Sequence, residues 1–182
     1  MKQLYIGIWL VWVFGLTSCE MTDKSQQQAE NPINIRVREG TNMAAALSPN
    51  KKELVLDVQG VLWLMPITGG EAVPITDELG DCHEPAWSPD GETIAFHSYR
   101  DGNYHIWSIK KDGTGLKQLT TGAFDDREPV WTPDGAEIIF SSDKNGDYDL
   151  WKINLATAEI QAVTSGPANE YSPAISPDGH RI

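Results

Sequence analysis

The chain has 182 residues, of which 26 are acidic and 14 basic, so its formal net charge at pH 7 is −12. This excess of negative charge argues against nucleic acid as a partner and against direct docking on anionic lipid, because phosphate groups would be repelled. The composition fits a soluble domain of the cell envelope.

The first nineteen residues have the features of an export signal. Lys2 gives a short basic region, and the apolar run Leu4–Phe14 is too short to span a membrane. Residues 16–19 read LTSC, which resembles the lipobox of bacterial lipoprotein signals. The resemblance implies a signal peptide over residues 1–19, a lipidated Cys19 that anchors the protein to a membrane, and a location in the bacterial cell envelope, facing the periplasm or the surface. An ordinary secretory signal with an incidental cysteine is the alternative.

Residues 20–40 are predicted to be a flexible tether, because the charged and amide side chains around Gln26–Gln28 cannot form a core. The chain has only two cysteines. If Cys19 carries lipid, Cys82 has no partner for an internal disulfide, and we expect a loop thiol there rather than a nucleophile.

An internal repeat dominates the rest of the chain. Trp63, Trp107 and Trp151 follow one another at steps of 44 residues. A turn sequence recurs with them, as SPDG from Ser88, TPDG from Thr132 and SPDG again near the end of the chain. Repeats of 40–50 residues made of short strands are typical of β-propeller blades. A β-sandwich, the alternative, would not repeat its turn chemistry at a fixed step.

Each unit predicts four antiparallel strands. The turn is followed by an apolar strand, a bend such as Asp101-Gly102 that accepts positive φ, a strand with the tryptophan, and a last short strand. The predicted fold class is therefore all-β, an incomplete β-propeller over residues 41–182. Its blades are expected at about 43–76, 84–120 and 128–164, with a truncated fourth at 171–182. We expect the chain to be the N-terminal part of a longer protein, since propellers close with at least four blades.

Two resemblances follow from these motifs. The pattern P-x-W-[ST]-P-D-G-x-x-I-[AI]-F is similar to the WD40-like PD40 repeat of TolB-type propellers. The runs GTNMAAALSP (40–49), GVLW (60–63) and FDDREP (124–129) resemble the N-terminal propeller of exported amidohydrolases. That resemblance implies a non-catalytic domain, without a cofactor of its own, that gates substrate for a downstream domain of the same chain. The downstream domain would be a metal-dependent hydrolase holding a divalent metal. Its H-x-H motif is absent from the sequence, so no catalytic residue is assigned.

Two other functions stay open. The first is a TolB-like interaction module that binds another envelope protein or a peptide. The second is the propeller cap of a serine peptidase of the prolyl-oligopeptidase or tricorn type. Sequence beyond residue 182 would distinguish them by an H-x-H motif, further blades, or a G-x-S-x-G elbow.

Acidic residues gather before the first strand of each unit, and in a propeller these connections lie together beside the central channel. The candidates for binding at this channel rim are Asp81, Glu84, Asp125, Asp126, Glu128 and Glu170. They predict a site for a cation or a basic group of a partner, and solvated loops are the alternative. The loop Asp143–Asp149 resembles a calcium loop but lacks the closing glutamate, so no metal site is predicted.

Overall fold

The computed structural model describes residues 43–182. The predicted signal peptide, Cys19 and the predicted tether lie outside these residues. In the described part of the chain, all regular secondary structure is β-strand, arranged as three antiparallel sheets of four consecutive strands. This confirms the prediction of an all-β partial β-propeller.

The strands follow one another in sequence order across each sheet. The first sheet contains β1 (Ala45–Leu47), β2 (Glu53–Val58), β3 (Val61–Pro66) and β4 (Val73–Pro74). The second contains β5 (Cys82–Trp87), β6 (Thr93–Ser98), β7 (His105–Lys110) and β8 (Lys117–Gln118). The third contains β9 (Asp126–Trp131), β10 (Glu137–Ser142), β11 (Asp149–Asn154) and β12 (Ile160–Ala162).

The repeated turn joins the first two strands of a sheet. In the second sheet, Gly91 N–H donates to the Ser88 carbonyl at 2.9 Å, and the Ser88 hydroxyl donates to Asp90 at 2.6 Å while accepting from Thr93 N–H at 2.9 Å. Gly91 has φ +72°, a value that favours glycine. The same turn forms at Ser176–Gly179, so the start of a fourth unit follows the third sheet.

The turns of successive units touch one another. A Cβ on Gly135 would lie 3.6 Å from Pro89 Cδ, and Gly91 faces Pro49 at the same distance. Gly179 faces Pro133 at 3.5 Å. The units therefore stack with the same orientation, and the fourth turn continues the series.

Two apolar layers lie between the sheets. The first joins residues such as Val55 and Leu62 of the first sheet to Phe96 and Trp107 of the second. The second layer repeats the arrangement between the second and third sheets. Hydrogen bonds across the sheets accompany the layers, because the Trp87 and Trp131 indoles donate to the carbonyls of Ala46 and Ala86 at 3.0 and 3.1 Å.

The first strands β1, β5 and β9 contact one another in turn and form the inner edge of the structure. The pairing register shifts at Glu84 in β5 and at Glu128 in β9, and these residues have φ +50° and +57°. Ser172 has φ +51° at the same place in the fourth unit. These bulges direct side chains of each unit toward a common cavity of about 300 Å³ at the inner edge.

Candidate ligand site at the channel mouth

The side chain of a neighbouring strand holds the backbone N–H at each bulge. Glu84 N–H donates to Asp57 Oδ2 at 2.9 Å, and Glu128 N–H donates to His97 Nδ1 at 3.3 Å. Asp57 and His97 occupy the same position in β2 and β6. They therefore satisfy a backbone donor that the shifted register leaves without a strand partner.

In the third sheet, different hydrogen bonds form the link to the next unit. The matching residue in β10 is Ser141, whose hydroxyl donates to Glu128 Oε2 at 2.8 Å. The Glu128 carboxylate also accepts the Ser172 N–H. Glu128 thus bridges the third sheet and the fourth unit. Between the earlier units, the longer side chains of Asp57 and His97 make this link directly.

A cavity of about 450 Å³ opens beside these bulges. We call it the channel mouth, and its polar lining consists of Asp57, His83, Glu84, His97, Tyr104 and Arg127. Strands β2, β5, β6 and β9 and the connection between β6 and β7 supply these residues, so all three sheets contribute.

Arg127 and Tyr104 form a clasp between the second and third sheets. The Arg127 guanidinium lies 4.1 Å from the centre of the Tyr104 ring, within the range of a cation–π contact. Arg127 also donates to Asp125 at 2.8 Å, and Asp125 accepts Tyr104 N–H at 3.0 Å. The Tyr104 hydroxyl donates to Asp81 at 2.8 Å. Both members of the clasp are thus held in place by carboxylates.

His83 lies between two carboxylates. Its Nε2 is 2.9 Å from Asp81 Oδ1, and its Nδ1 is 3.7 Å from Asp57 Oδ2. The Asp57 side chain is only 3% exposed and also accepts Ala44 N–H at 2.6 Å. The hydrogen bond with Asp81 therefore orients the His83 ring, with the Asp57 carboxylate near its other nitrogen.

Burial and neighbouring charge tune the acid–base properties of the mouth. Burial lowers the pKa of His97 to about 3, helped by the charges of His83 and Arg127. His97 is therefore neutral, and since its Nδ1 accepts the Glu128 N–H, its proton lies on Nε2. Burial, followed by repulsion from Glu128 and Asp57, raises the pKa of Glu84. Although burial opposes it, hydrogen bonds from Tyr104 and His83 lower the pKa of Asp81.

The family model of the TolB beta propeller domain, PD40, matches residues 26–182. The chain belongs to this family. The Tol-Pal system protein TolB of Syntrophus aciditrophicus is 49% identical over 37 residues, which are 20% of this chain and 8% of that protein.

Solved structures share the PD40 propeller fold. TolB from Acinetobacter baumannii superposes with a TM-score of 0.66 at 22% identity, over 75% of this chain and 36% of that one. A puromycin hydrolase gives a TM-score of 0.56 at 17% identity, over 71% of this chain and 24% of the other. The chain therefore matches only a part of each of these proteins, and at such identities the two structures indicate the fold alone.

Of the six predicted rim residues, Glu84 lines the channel mouth, and Glu84 and Glu128 line the smaller cavity beside it. Asp81 and Asp125 line neither cavity but bond to Tyr104 and Arg127, which line the mouth. Asp126 is 1% exposed and points between the sheets, where its Oδ2 lies 3.4 Å from His105 Nδ1. Burial raises the pKa of Asp126. Glu170 accepts a hydrogen bond from Thr164. These last two residues do not line the channel mouth.

Among the polar residues that line the mouth, only Glu84 was a predicted binding candidate, and Asp57, His83, His97, Tyr104 and Arg127 were not. A signal for them exists in the repeat, because Asp57 and His97 share one position relative to the turns. Tyr104 likewise matches Tyr148 at the 44-residue step.

The remaining sequence features lie outside the channel mouth. The expectation of a loop thiol at Cys82 is wrong, because Cys82 is the first residue of β5 and is fully buried. Burial raises the pKa of its thiol. Among residues 43–182, no group of three His, Cys, Asp or Glu side chains is arranged to hold a metal ion. Over the same residues, no helix is long and apolar enough to cross a membrane.

Proposed function

We propose that this PD40 propeller is a non-catalytic binding domain of a bacterial cell-envelope lipoprotein, and that the channel mouth is its binding surface. The observation that carries the proposal is the convergence of fixed polar and aromatic side chains from three sheets on one open cavity. Charged groups on rigid strands, with an arginine stacked on a tyrosine, are the kind of surface that recognises a polar partner.

Backbone geometry supports the choice of the inner edge as the binding surface. Glu84 and Glu128 hold positive φ without being glycine or asparagine, which costs free energy that another residue would avoid. The bulges turn both carboxylates toward a common cavity, where burial, followed by repulsion from Glu128 and Asp57, raises the pKa of Glu84. A bound basic group would relieve that repulsion, so we propose a peptide segment with a lysine, an arginine or a free amino terminus as the ligand.

The proposal is tested with short peptides tiled across the exported proteins of the source bacterium, measured by fluorescence polarisation against the purified protein. Peptides that bind should lose about tenfold or more in affinity to Glu84→Gln, since it removes a charged contact. Lys111→Ala is the matched control, because its exposed pair with Glu92 lies at the other end of the second sheet. Equal losses in the control, or no basic peptide that binds, would contradict the proposal.

For the whole protein we propose that a metal-dependent amidohydrolase domain follows this propeller in the same chain, and that the propeller admits or positions substrate for it. The support is the likeness of residues 40–49 and 124–129 to the propellers of exported amidohydrolases. The gene sequence past codon 182 tests this directly. An H-x-H motif with further histidine and aspartate ligands is expected, and a stop codon after more blades would reject it.

A TolB-like interaction module is the second candidate. The 49% identity to a Tol-Pal system protein over 37 residues favours it. In that case the ligand of the channel mouth belongs to another envelope protein, and the gene would encode blades without a hydrolase domain.

A further inference from the structure

The guanidinium of Arg127 has hydrogen-bond donors left over at the channel mouth. Its Nη2 donates to Asp125 Oδ2 at 2.8 Å, and within residues 43–182 this is its one hydrogen bond. A guanidinium carries five N–H donors, and the one at Nε is buried without an acceptor among these residues. The side chain is 36% exposed and lines the cavity, so Nη1 can donate to an acceptor that a ligand brings.

Arg100, in the second sheet's own hairpin connection, shows the contrast. Its Nη1 lies 3.1 Å from Asp77 Oδ2 and its Nη2 lies 2.6 Å from Asp77 Oδ1. A two-pronged pair of this kind uses both carboxylate oxygens and both terminal nitrogens. Arg100 does not line the channel mouth. Arg127 does, and the protein itself uses only half of its fork.

The guanidinium of Arg127 is nevertheless fixed in position. It lies 4.1 Å from the centre of the Tyr104 ring. Its partner Asp125 accepts Tyr104 N–H at 3.0 Å, and the N–H of Asp125 donates to Asp143 at 2.8 Å. A ligand would not have to order this arginine, so little conformational entropy would be lost on binding.

A carboxylate without an ion-pair partner lines the same cavity. Glu84 has a side chain that is 46% exposed. The nitrogen closest to its carboxylate in an ionisable side chain is Nδ1 of the neutral His97, which is 3.9 Å away and beyond hydrogen-bond distance. Glu84 and Arg127 lie in β5 and β9, the first strands of neighbouring sheets. The mouth therefore offers a free acceptor and a free donor of opposite charge.

The size of the mouth and its other charges restrict the ligand that can use both groups. A cavity of about 450 Å³ has the size of a small-molecule site, so the two groups of the ligand must lie close together. A ligand with a carboxylate alone would meet the negative charges of Glu84, Asp57 and Asp125 near Arg127. A ligand with a basic group alone would meet the positive charge of Arg127 and leave its donors unused.

We propose that the ligand of the channel mouth is dipolar, a peptide segment in which a carboxylate lies within a residue or two of the basic group. The carboxylate binds Arg127 and the basic group binds Glu84. This inference rests on the proposed function and adds a second charge to its ligand. The carboxylate belongs to an acidic side chain or to a free C-terminus, and charge-assisted hydrogen bonds would hold either one.

The probes for the test are the tiled peptides that bind in the fluorescence polarisation scan. Each is made again in two forms, one with glutamine and asparagine in place of its acidic residues and one with an amidated C-terminus. One of these changes should weaken binding about tenfold, and it identifies the source of the carboxylate. If neither weakens binding while Glu84→Gln does, the dipolar proposal is rejected and the proposed function stands. If no tiled peptide binds, both are rejected.

Arg127→Gln tests whether Arg127 is the group that recognises the carboxylate. Glutamine keeps an amide donor for Asp125 but carries no charge. The variant should weaken the original peptide about tenfold and the neutralised form hardly at all, because the contact that it removes is already missing there. A purely structural role in the clasp would weaken both forms equally and would overturn the assignment.

Arg100→Gln is the matched control, since this arginine pairs with Asp77 outside the mouth. It should leave the affinities of both peptide forms unchanged. If Arg127→Gln does not fold, Arg127→Lys replaces it. Lysine keeps the charge without the planar fork, so it should weaken only the original peptide, by a smaller factor, and equal weakening of both forms would again reject the proposal.

Discussion

His97 links the backbone of one sheet to the side chains of another. Its side chain is 7% exposed, and it accepts the N–H of the strained residue Glu128. A protonated imidazole could not accept that bond, and burial lowers the pKa of His97 to about 3. The architecture of the channel mouth therefore depends on a neutral histidine, and its stability should depend on pH.

The expected pH dependence has a definite sign. The unfolded chain takes up a proton on His97 near its ordinary pKa of 6.5, while the folded protein resists protonation down to about 3. The contribution is therefore complete above pH 6.5 and is lost as the pH falls toward 3. Between pH 8 and pH 5, we expect the free energy of unfolding to fall by about 2 kcal/mol through this residue.

Urea denaturation of the wild type and His97→Asn at several pH values measures this contribution. Asparagine keeps an acceptor for the Glu128 N–H but does not titrate, so its stability curve should be flatter by the stated amount. His180→Asn, at an exposed position, should follow the wild type. Parallel curves for the wild type and His97→Asn would refute the assignment.

The β-bulges change the direction of side chains in the repeated strands and so place some of them at the candidate binding site. They recur in β5 and β9 and shift the pairing, so that side chains no longer simply alternate along these strands. A glycine would adopt the positive φ at lower cost, and the retention of glutamate at two of three such positions is explained if the carboxylates serve binding. Stability and binding should then oppose each other at Glu84.

Glu84→Gly tests that opposition. The Glu84 carboxylate lies 3.9 Å from Nδ1 of the neutral His97, beyond hydrogen-bond distance, so few contacts are lost when the side chain is removed. We expect the free energy of unfolding to rise by about 0.5–1 kcal/mol, because relief of the left-handed conformation exceeds the entropy cost of glycine. Glu71→Gly is the control at an exposed loop position without positive φ.

The two glycine variants are compared by chemical denaturation and by peptide binding. Glu84→Gly should be more stable than the wild type and weaker in binding, whereas Glu71→Gly should be slightly less stable and bind normally. A loss of stability in Glu84→Gly as large as in the control would show that its backbone stores no strain.

The strands and turns were easier to predict from the sequence than the residues of the channel mouth. The turn from Ser88 to Gly91 and the spacing of the tryptophans fix four strands per unit, because each turn carries its own local chemistry. The site depends on which face a side chain takes after a bulge. Asp125 and Asp126 are adjacent in sequence, yet one bonds Arg127 at the mouth and the other is buried against His105. No local sequence pattern predicts that difference in burial.

At the scale of the whole molecule, the described sheets account for the polar channel mouth and the stacked turns. Anchoring is predicted from Cys19, which lies outside the described residues. A chain with a net charge of −12 would not be held on anionic lipid by its surface, so retention at a membrane would require the acyl chains.

Cys19→Ala should therefore release the protein from membranes. Each buried methylene of an acyl chain contributes about 0.8 kcal/mol, and more than one chain is needed for stable anchoring. In fractionated cells, the wild type should sediment with membranes and Cys19→Ala should not. Cys82→Ala is the matched control, because its buried thiol has no access to lipid and should leave the membrane fraction unchanged. If Cys19→Ala still sediments after a high-salt wash, an uncleaved signal segment holds the protein, and the lipoprotein proposal fails while the channel-mouth proposal stands.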